Sequence, residues 1–302
     1  MDVRASVEGS LNDVTIIATT SGQFALKTYR SGYSQQQLSA QHDLLLALSA
    51  DQQPVPTPVA LPNGSSWLEV DGRFNVLFPF ANGVQLMRGQ WTEVESRAAS
   101  QTLARLHVRL AEYRGALRDK TFEIDLGLTL RRLAELTEQI SQRREFDSTD
   151  RTALDHLEQR RMWLKKHHHA LEQRLSALPF QAIHSDYHDG NLFFANNAVS
   201  AVIDWEGVSR FPRCWELLRA VHYTLNLEPR LTRVWLEAYR QINPISDAEL
   251  EAGIVFYTLE RAHALWPFQA YYLQGNERAR KFIDSGKFTP FCDLWARVVT
   301  DW

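Results

Sequence analysis

The spacing of hydrophobic and polar positions changes along the chain, and the changes predict its elements. Val14-Thr15-Ile16-Ile17-Ala18 is β-branched, Ser21-Gly22 is a turn, and Phe24-Ala25-Leu26-Lys27-Thr28-Tyr29 alternates. That pattern predicts a β-hairpin. From Ser34 to Leu48 the period becomes helical, with Leu38, Leu45 and Leu48 recurring and Ser34 in position to cap. Pro54-Val55-Pro56-Thr57-Pro58 cannot be helical and predicts an extended connector. Trp67-Leu68-Glu69-Val70 and Phe74-Asn75-Val76-Leu77-Phe78 flank Asp71-Gly72, the signature of a second hairpin. Upstream of Val14, Glu8-Gly9-Ser10-Leu11-Asn12 suggests a turn, with few residues before it to form a strand.

Beyond Pro79-Phe80-Ala81-Asn82-Gly83 the chain becomes mainly helical. Val94, Ala98, Leu103, Leu106 and Leu110 mark one helical face, on which His107 is expected to be packed and hydrogen-bonded. Residues 126–176 predict an antiparallel helical pair with a polar break near Phe146–Asp150. Aromatic residues from Trp235 to Tyr272 recur at helical spacing and are expected in the core. The expected organisation is therefore a strand-rich segment over residues 1–80 and a helical remainder over 81–302.

Composition narrows the classes without naming one. The 302 residues suffice for one large domain or two lobes, and 44% hydrophobic with 23% charged residues is ordinary for a globular protein. A net charge of −3 gives no electrostatic reason to expect a nucleic acid or an acidic membrane as partner. Two cysteines, Cys214 and Cys292, define no disulfide framework and suggest a reducing compartment. There is no apolar run of about 18 residues, and Met1-Asp2-Val3-Arg4 leads into no signal-peptide core. A cytoplasmic location is expected.

The chemistry concentrates in two short stretches. Ile183-His184-Ser185-Asp186-Tyr187-His188-Asp189-Gly190-Asn191-Leu192 contains H-x-D-x-x-x-x-N, and Ala201-Val202-Ile203 ends in Asp204-Trp205-Glu206. Two acids and an amide on tight turns beside short strands make an oxygen-rich pocket, suited to a hard divalent cation and its phosphates. A further carboxylate can take a proton from an attacking hydroxyl. The pattern points to a phosphotransferase. His184 and His188 do not suggest zinc, because Gly190 and the strand pattern after it predict a loop rather than a helix. His167-His168-His169 diverge on a helix and are expected on a solvated face.

These stretches resemble the catalytic loop of protein kinases. In detail they resemble the kinase-fold small-molecule phosphotransferases, the aminoglycoside phosphotransferase, choline kinase and homoserine kinase group. His184, Asp186, His188, Gly190, Asn191, Ile203, Asp204, Trp205 and Glu206 carry the likeness. It implies a protein-kinase-like α+β fold with two lobes, a small antiparallel-sheet lobe over 1–80 that binds nucleotide and a larger helical lobe over 81–302. It implies ATP and Mg²⁺ as cofactors and a small-molecule hydroxyl as acceptor: an amino alcohol, homoserine, a sugar or an aminoglycoside. Asp186 would be the catalytic base, Asn191 and Asp204 the metal ligands, and Lys27 the contact to the α- and β-phosphates. Phe80 and Ala81 would meet the adenine edge through the main chain, and Gly9 would lie in the loop over the phosphates. His184 would be a scaffold for the loop, His188 would lie toward the acceptor, and Glu216 would brace the loop in place of an aspartate.

One position departs from the pattern. The helix after Lys27 normally offers the lysine a glutamate, and here Gln41 stands there, able to accept a hydrogen bond but without charge. Asp43 is the nearby acid that could substitute. A nucleotide-binding module with little turnover is the alternative that this departure raises. A protein serine/threonine kinase is another, against which stands the short run from Glu206-Gly207 to Pro212, too short for a long activation loop.

Overall fold

In the computed structural model, residues 2–8, 13–283 and 288–299 are described. The suggested phosphate loop at Gly9–Asn12 lies outside them. Strands β1 (Asp2–Glu8), β2 (Asp13–Thr19) and β3 (Gly22–Thr28) come first, followed by helix α1 (Gln35–Ala50). β4 (Leu68–Val70) and β5 (Arg73–Pro79) then complete an antiparallel sheet of order β1-β2-β3-β5-β4. Both predicted hairpins form. The segment expected to be too short for a strand is β1, whose backbone pairs with β2 from Asp2↔Ala18 to Glu8↔Asp13.

α1 covers one face of this sheet. Phe74, Val76 and Phe78 alternate inward along β5, and Leu38, Leu44, Leu45 and Leu48 are buried on α1. His42 of α1 meets the Phe78 ring edge-on at 6.2 Å. Ser34 opens α1 with a capping box shared with Gln37, which satisfies amides that a helix start otherwise leaves unpaired.

α2 (Glu93–Glu112) follows, then α3 (Leu126–Ser141) and α4 (Ser148–Glu172). The break between α3 and α4 comes a few residues earlier than the sequence suggests. Asp147 caps α4, so Ser148, Thr149 and Asp150 form its first turn instead of the loop. Next come β6 (Phe180–Ile183), β7 (Leu192–Ala195), β8 (Ala198–Val202) and β9 (Ser209–Pro212), with β6 paired to β9 and β7 to β8. α5 (Arg213–Leu225), α6 (Pro229–Ile242), α7 (Asp247–His263), a short turn α8 (Trp266–Phe268) and α9 (Phe291–Val299) complete the chain.

These elements form two compact units. The first comprises residues 1–120 and 179–245, the second 121–178 and 246–302. Within the first, α2 packs on α6, and the Ser100 hydroxyl donates to the Trp235 carbonyl at 2.5 Å. Val84 extends the β7–β8 hairpin through reciprocal bonds with Phe194 at 2.9 and 2.8 Å. Gly83 permits that approach: its φ is +112°, and a Cβ there would lie 2.3 Å from the Phe194 carbonyl oxygen.

The second unit has its own core, with Leu133, Leu136, Ile140, Leu157, Leu164 and Phe268 among the buried residues. Arg160 caps the end of α7 by donating to the carbonyls of Arg261, Ala262 and Ala264 at 2.7, 2.9 and 2.9 Å. His168 departs from the solvated-face expectation. It is 2% exposed and lies 3.1 Å from His263, whereas His169 points outward. Among the described residues no helix is long and apolar enough to cross a membrane.

Candidate active site

β6 delivers the chain into the loop from His184 to Asn191, and β8 delivers it into the turn at Asp204. His184 joins the two. Its buried ring donates from Nε2 to the Ile203 carbonyl at 2.8 Å and accepts the Asp186 amide at Nδ1 at 3.1 Å. Burial pushes its pKa down, in keeping with a neutral ring that both donates and accepts. The Ile203 amide in turn donates to the Asn191 carbonyl at 2.9 Å, so the two turns share a fixed spacing.

Both turns hold unusual backbone. Ser185 has φ +73° and Asp204 φ +65°, in the left-handed region, which is costly for residues other than glycine. At Ser185 the restraint is visible. Glu216, the fourth residue of α5 and 1% exposed, accepts the amides of Ser185 and, at 3.0 Å, of His184. His107 lies 2.9 Å from the Glu216 carboxylate and 2.6 Å from the Tyr239 hydroxyl. Burial alone would raise the Glu216 carboxyl, but the hydrogen bonds from His107 and from the His184 amide hold it low. A buried carboxylate with this many donors stays ionised and fixes the loop.

Asp186 lies at the end of this frame. Arg219, three residues beyond Glu216 on α5, donates to Oδ1 at 2.7 Å, and Asn191 Nδ2 donates to Oδ2 at 3.1 Å. Asn191 Nδ2 also donates to the Asp186 carbonyl at 2.8 Å. Burial opposes ionisation of Asp186, but the His188 hydrogen bond and the Arg219 and His188 charges outweigh it and hold the carboxyl well below its usual range. His188 sits 3.4 Å from Asp186 and 3.3 Å from Asp189. Burial lowers its pKa, but these acids prevail and push it up to about 9. At neutral pH the pair is a carboxylate beside an imidazolium.

Opposite, Lys27 projects from β3. Its ammonium lies 2.8 Å from Asp204 and contacts Glu206 directly. Burial would lower the lysine pKa, and the two carboxylates raise it instead. Lys27, Asp186, Asp204 and Glu206 line a cavity of about 540 Å³, as do Arg118 and Lys120. Val14, Ile16, Ala25, Phe78 and Phe193 are among its apolar lining, and Phe80 and Ala81 line it too. The Phe80 amide is engaged by the Gln23 carbonyl at 3.1 Å.

Of the residues singled out by sequence, Lys27, Phe80, Ala81, Asp186, Asp204 and Gln41 line this cavity. His184, His188, Asn191 and Glu216 do not line it; they hold the loop that presents Asp186 through the bonds above. Gln41 does not hold the lysine. Its Oε1 accepts from the hydroxyls of Tyr29 and Tyr33, both at 3.2 Å. Asp43 is exposed and does not take over. Two roles escaped the sequence reading. Arg219 carries the i, i+3 spacing from Glu216 that puts both on one face of α5, a signal that was available. Glu206 was recognised within the motif but not as a partner of the lysine.

A small antiparallel sheet with one long helix, a loop carrying H-x-D-x-x-x-x-N, and a lysine facing an Asp at the end of a hairpin define a phosphotransferase of protein-kinase-like fold. The chain belongs to the phosphotransferase enzyme family, whose profile matches residues 2–251. It is 26% identical over 260 residues to a homoserine kinase of Bartonella henselae, covering 82% of this chain and 74% of that one. A homoserine kinase of Acidiphilium cryptum is 25% identical over 254 residues, with the same coverage of 82% and 74%. Among solved structures, spectinomycin phosphotransferase in complex with ADP and spectinomycin superimposes with a TM-score of 0.68 at 14% identity, covering 98% of this chain and 93% of that one. A microcompartment-associated aminopropanol kinase gives 0.65 at 17% identity, covering 99% and 93%. The protein is an enzyme that transfers a phosphoryl group to a hydroxyl acceptor.

Proposed function

We propose that the phosphoryl donor is ATP with Mg²⁺ and that the acceptor is the hydroxyl of a small molecule. One observation carries this reading: Lys27, Asp186 and Asp204 line a single cavity together with apolar side chains such as Val14, Ile16, Ala25 and Phe78. Its volume of about 540 Å³ falls within the range of cofactor-sized pockets. In this reading residues 1–80 are the nucleotide-binding lobe, and residues 81–302 carry the catalytic loop and the acceptor site.

The donor set fits a hard cation. Asn191 uses its amide nitrogen on Asp186, so its amide oxygen remains for a metal. Asp204 has a side chain 43% exposed and supplies a carboxylate. A magnesium ion held by these two would neutralise the charge of the phosphates. Lys27 would contact the α- and β-phosphates, exchanging its bond to Asp204 for one to phosphate oxygen. Phe80 through its carbonyl and Ala81 through its amide would meet the adenine edge.

Asp186 would accept the acceptor hydroxyl's hydrogen bond and take its proton as the new oxygen–phosphorus bond forms. Its low pKa does not argue against this, because in a loose transition state leaving-group departure runs ahead of deprotonation. Arg219 and Asn191 fix the direction of the carboxylate, and Glu216 fixes the loop beneath it. The similarity to proteins named homoserine kinase supports beginning the acceptor search with amino-bearing alcohols, followed by sugars and aminoglycosides.

The test is a coupled ATP-consumption screen over these hydroxyl compounds, with protein substrates included. Metal-dependent turnover with a small alcohol, lost in Asp186→Asn, is expected. Nucleotide binding without turnover on any acceptor would favour a binding module. Turnover on protein substrates alone would overturn the acceptor class.

A further inference from the structure

We infer that Glu206 is the positioning residue for Lys27, doing from the turn after Asp204 what an acid on α1 would otherwise do. The inference rests on the reading of Lys27 as the phosphate contact.

Three observations lead there. The α1 positions that share the cavity lining with Lys27 are Gln41 and Leu45; Leu45 is apolar, and Gln41 has no charge and has its side-chain oxygen taken by two tyrosine hydroxyls. A glutamine so engaged offers the ammonium little. Second, Lys27 contacts Glu206 directly, and both side chains are largely withdrawn from water, at 14% and 13% exposure. A pair at that depth is less screened than a surface pair, and it orders a side chain with four rotatable bonds. Third, the turn that presents Glu206 is anchored: Trp205 is 1% exposed and its Nε1 donates to the Val202 carbonyl at 2.8 Å.

The two acids facing Lys27 are not equivalent. Asp204 is 43% exposed and is the one that suits a cation. With Asp204 holding a cation, Glu206 would be the carboxylate left beside the lysine. The arrangement moves the lysine's acidic partner from a helix to the turn that carries the metal ligand, so lysine and metal ligand are positioned by one short segment.

The test reads the lysine itself. Acylation of Lys27 by an amine-reactive ester is followed by peptide mass spectrometry, with EDTA present and no nucleotide. Glu206→Gln is expected to raise the labelling rate several-fold, Glu206→Asp to give a smaller rise, and Gln41→Glu in the Glu206→Gln background to return it toward wild type. Far-UV circular dichroism and thermal melts check that each variant folds. In turnover, Glu206→Gln is expected to raise the KM for ATP several-fold at saturating magnesium, with recovery in the double variant. Labelling at the wild-type rate in both Glu206 variants would overturn the inference. So would a change confined to the magnesium requirement, which would make Glu206 a cation ligand instead. Protection of wild-type Lys27 by Mg-ATP is a separate arm. If it is absent, the phosphate role of Lys27 fails; if it is present while the Glu206 variants label normally, only the inference fails.

Discussion

At the residue scale the site is a carboxylate whose direction is set by its neighbours. Asp186 has one oxygen on Arg219 and the other on Asn191, so its conformational freedom is removed before any acceptor arrives. Asp186→Asn should lower kcat by roughly 10²–10⁴-fold, the usual contribution of a positioned general base. Its affinity for ADP should be unchanged within about two-fold, since the donors around the phosphates remain; nucleotide titration checks this. Arg219→Met makes a different prediction. Without the guanidinium the Asp186 carboxyl loses one of the charges that hold it low, so its pKa rises. With Asp186 as the proposed base, turnover requires its carboxylate, and the acid limb of the kcat/KM profile should therefore move to higher pH. An unshifted limb would mean that Arg219 does not govern Asp186.

At the element scale, burial of ionisable side chains makes the fold acid-sensitive. Burial holds the His42 imidazole down at about 4; in His263 burial does the same, helped by the His168 and Arg160 charges, also to about 4. In the unfolded chain both titrate near about 6.5. Between those values the unfolded chain binds more protons, so stability falls as pH drops from about 6.5 toward 4 and is unaffected by these groups above that window. The loss is of order a few kcal/mol per group at most. Urea unfolding across this range should show it, and His42→Gln should flatten the slope for the unit that holds α1. Ser34→Ala should cost about 1 kcal/mol at any pH, because it removes one cap.

The same scale explains what was legible in the sequence. The hairpin from Val14 to Thr28, the Asp71-Gly72 turn and the cap at Ser34 carry local signals, and local physics forms them. β1 was missed because a strand is defined by its partner, and its pairing with β2 lies outside its own seven residues. The H-x-D-x-x-x-x-N loop from His184 to Asn191 was legible because its spacing is local. The partners of Lys27 were not, because Asp204 lies 177 positions away and no periodicity encodes that distance. Gln41 shows the converse: the absence of charge at this position was legible in the sequence, but the Tyr29 and Tyr33 hydroxyls that donate to its side-chain oxygen were not.

At the scale of the whole molecule, the candidate nucleotide contacts all belong to one of the two compact units, the one comprising residues 1–120 and 179–245. Nucleotide binding should therefore stabilise that unit first. A ligand at about 100 times its Kd contributes about 2.7 kcal/mol to the state that binds it. For a unit of this size, each kcal/mol raises the midpoint by roughly 2–4 °C, so a rise of about 5–10 °C is expected. Hydrogen exchange should locate it. Amides in residues 13–30 and 184–207 should gain protection with Mg-ATP, while those of α4 and α9 in the other unit should change little. In Asp204→Ala the magnesium-dependent part of the shift should vanish, because the remaining Asn191 offers one neutral oxygen where the wild type adds a carboxylate. An undiminished shift in that variant would remove Asp204 from the metal site, and protection spread evenly over both units would mean that they respond to nucleotide as one cooperative body.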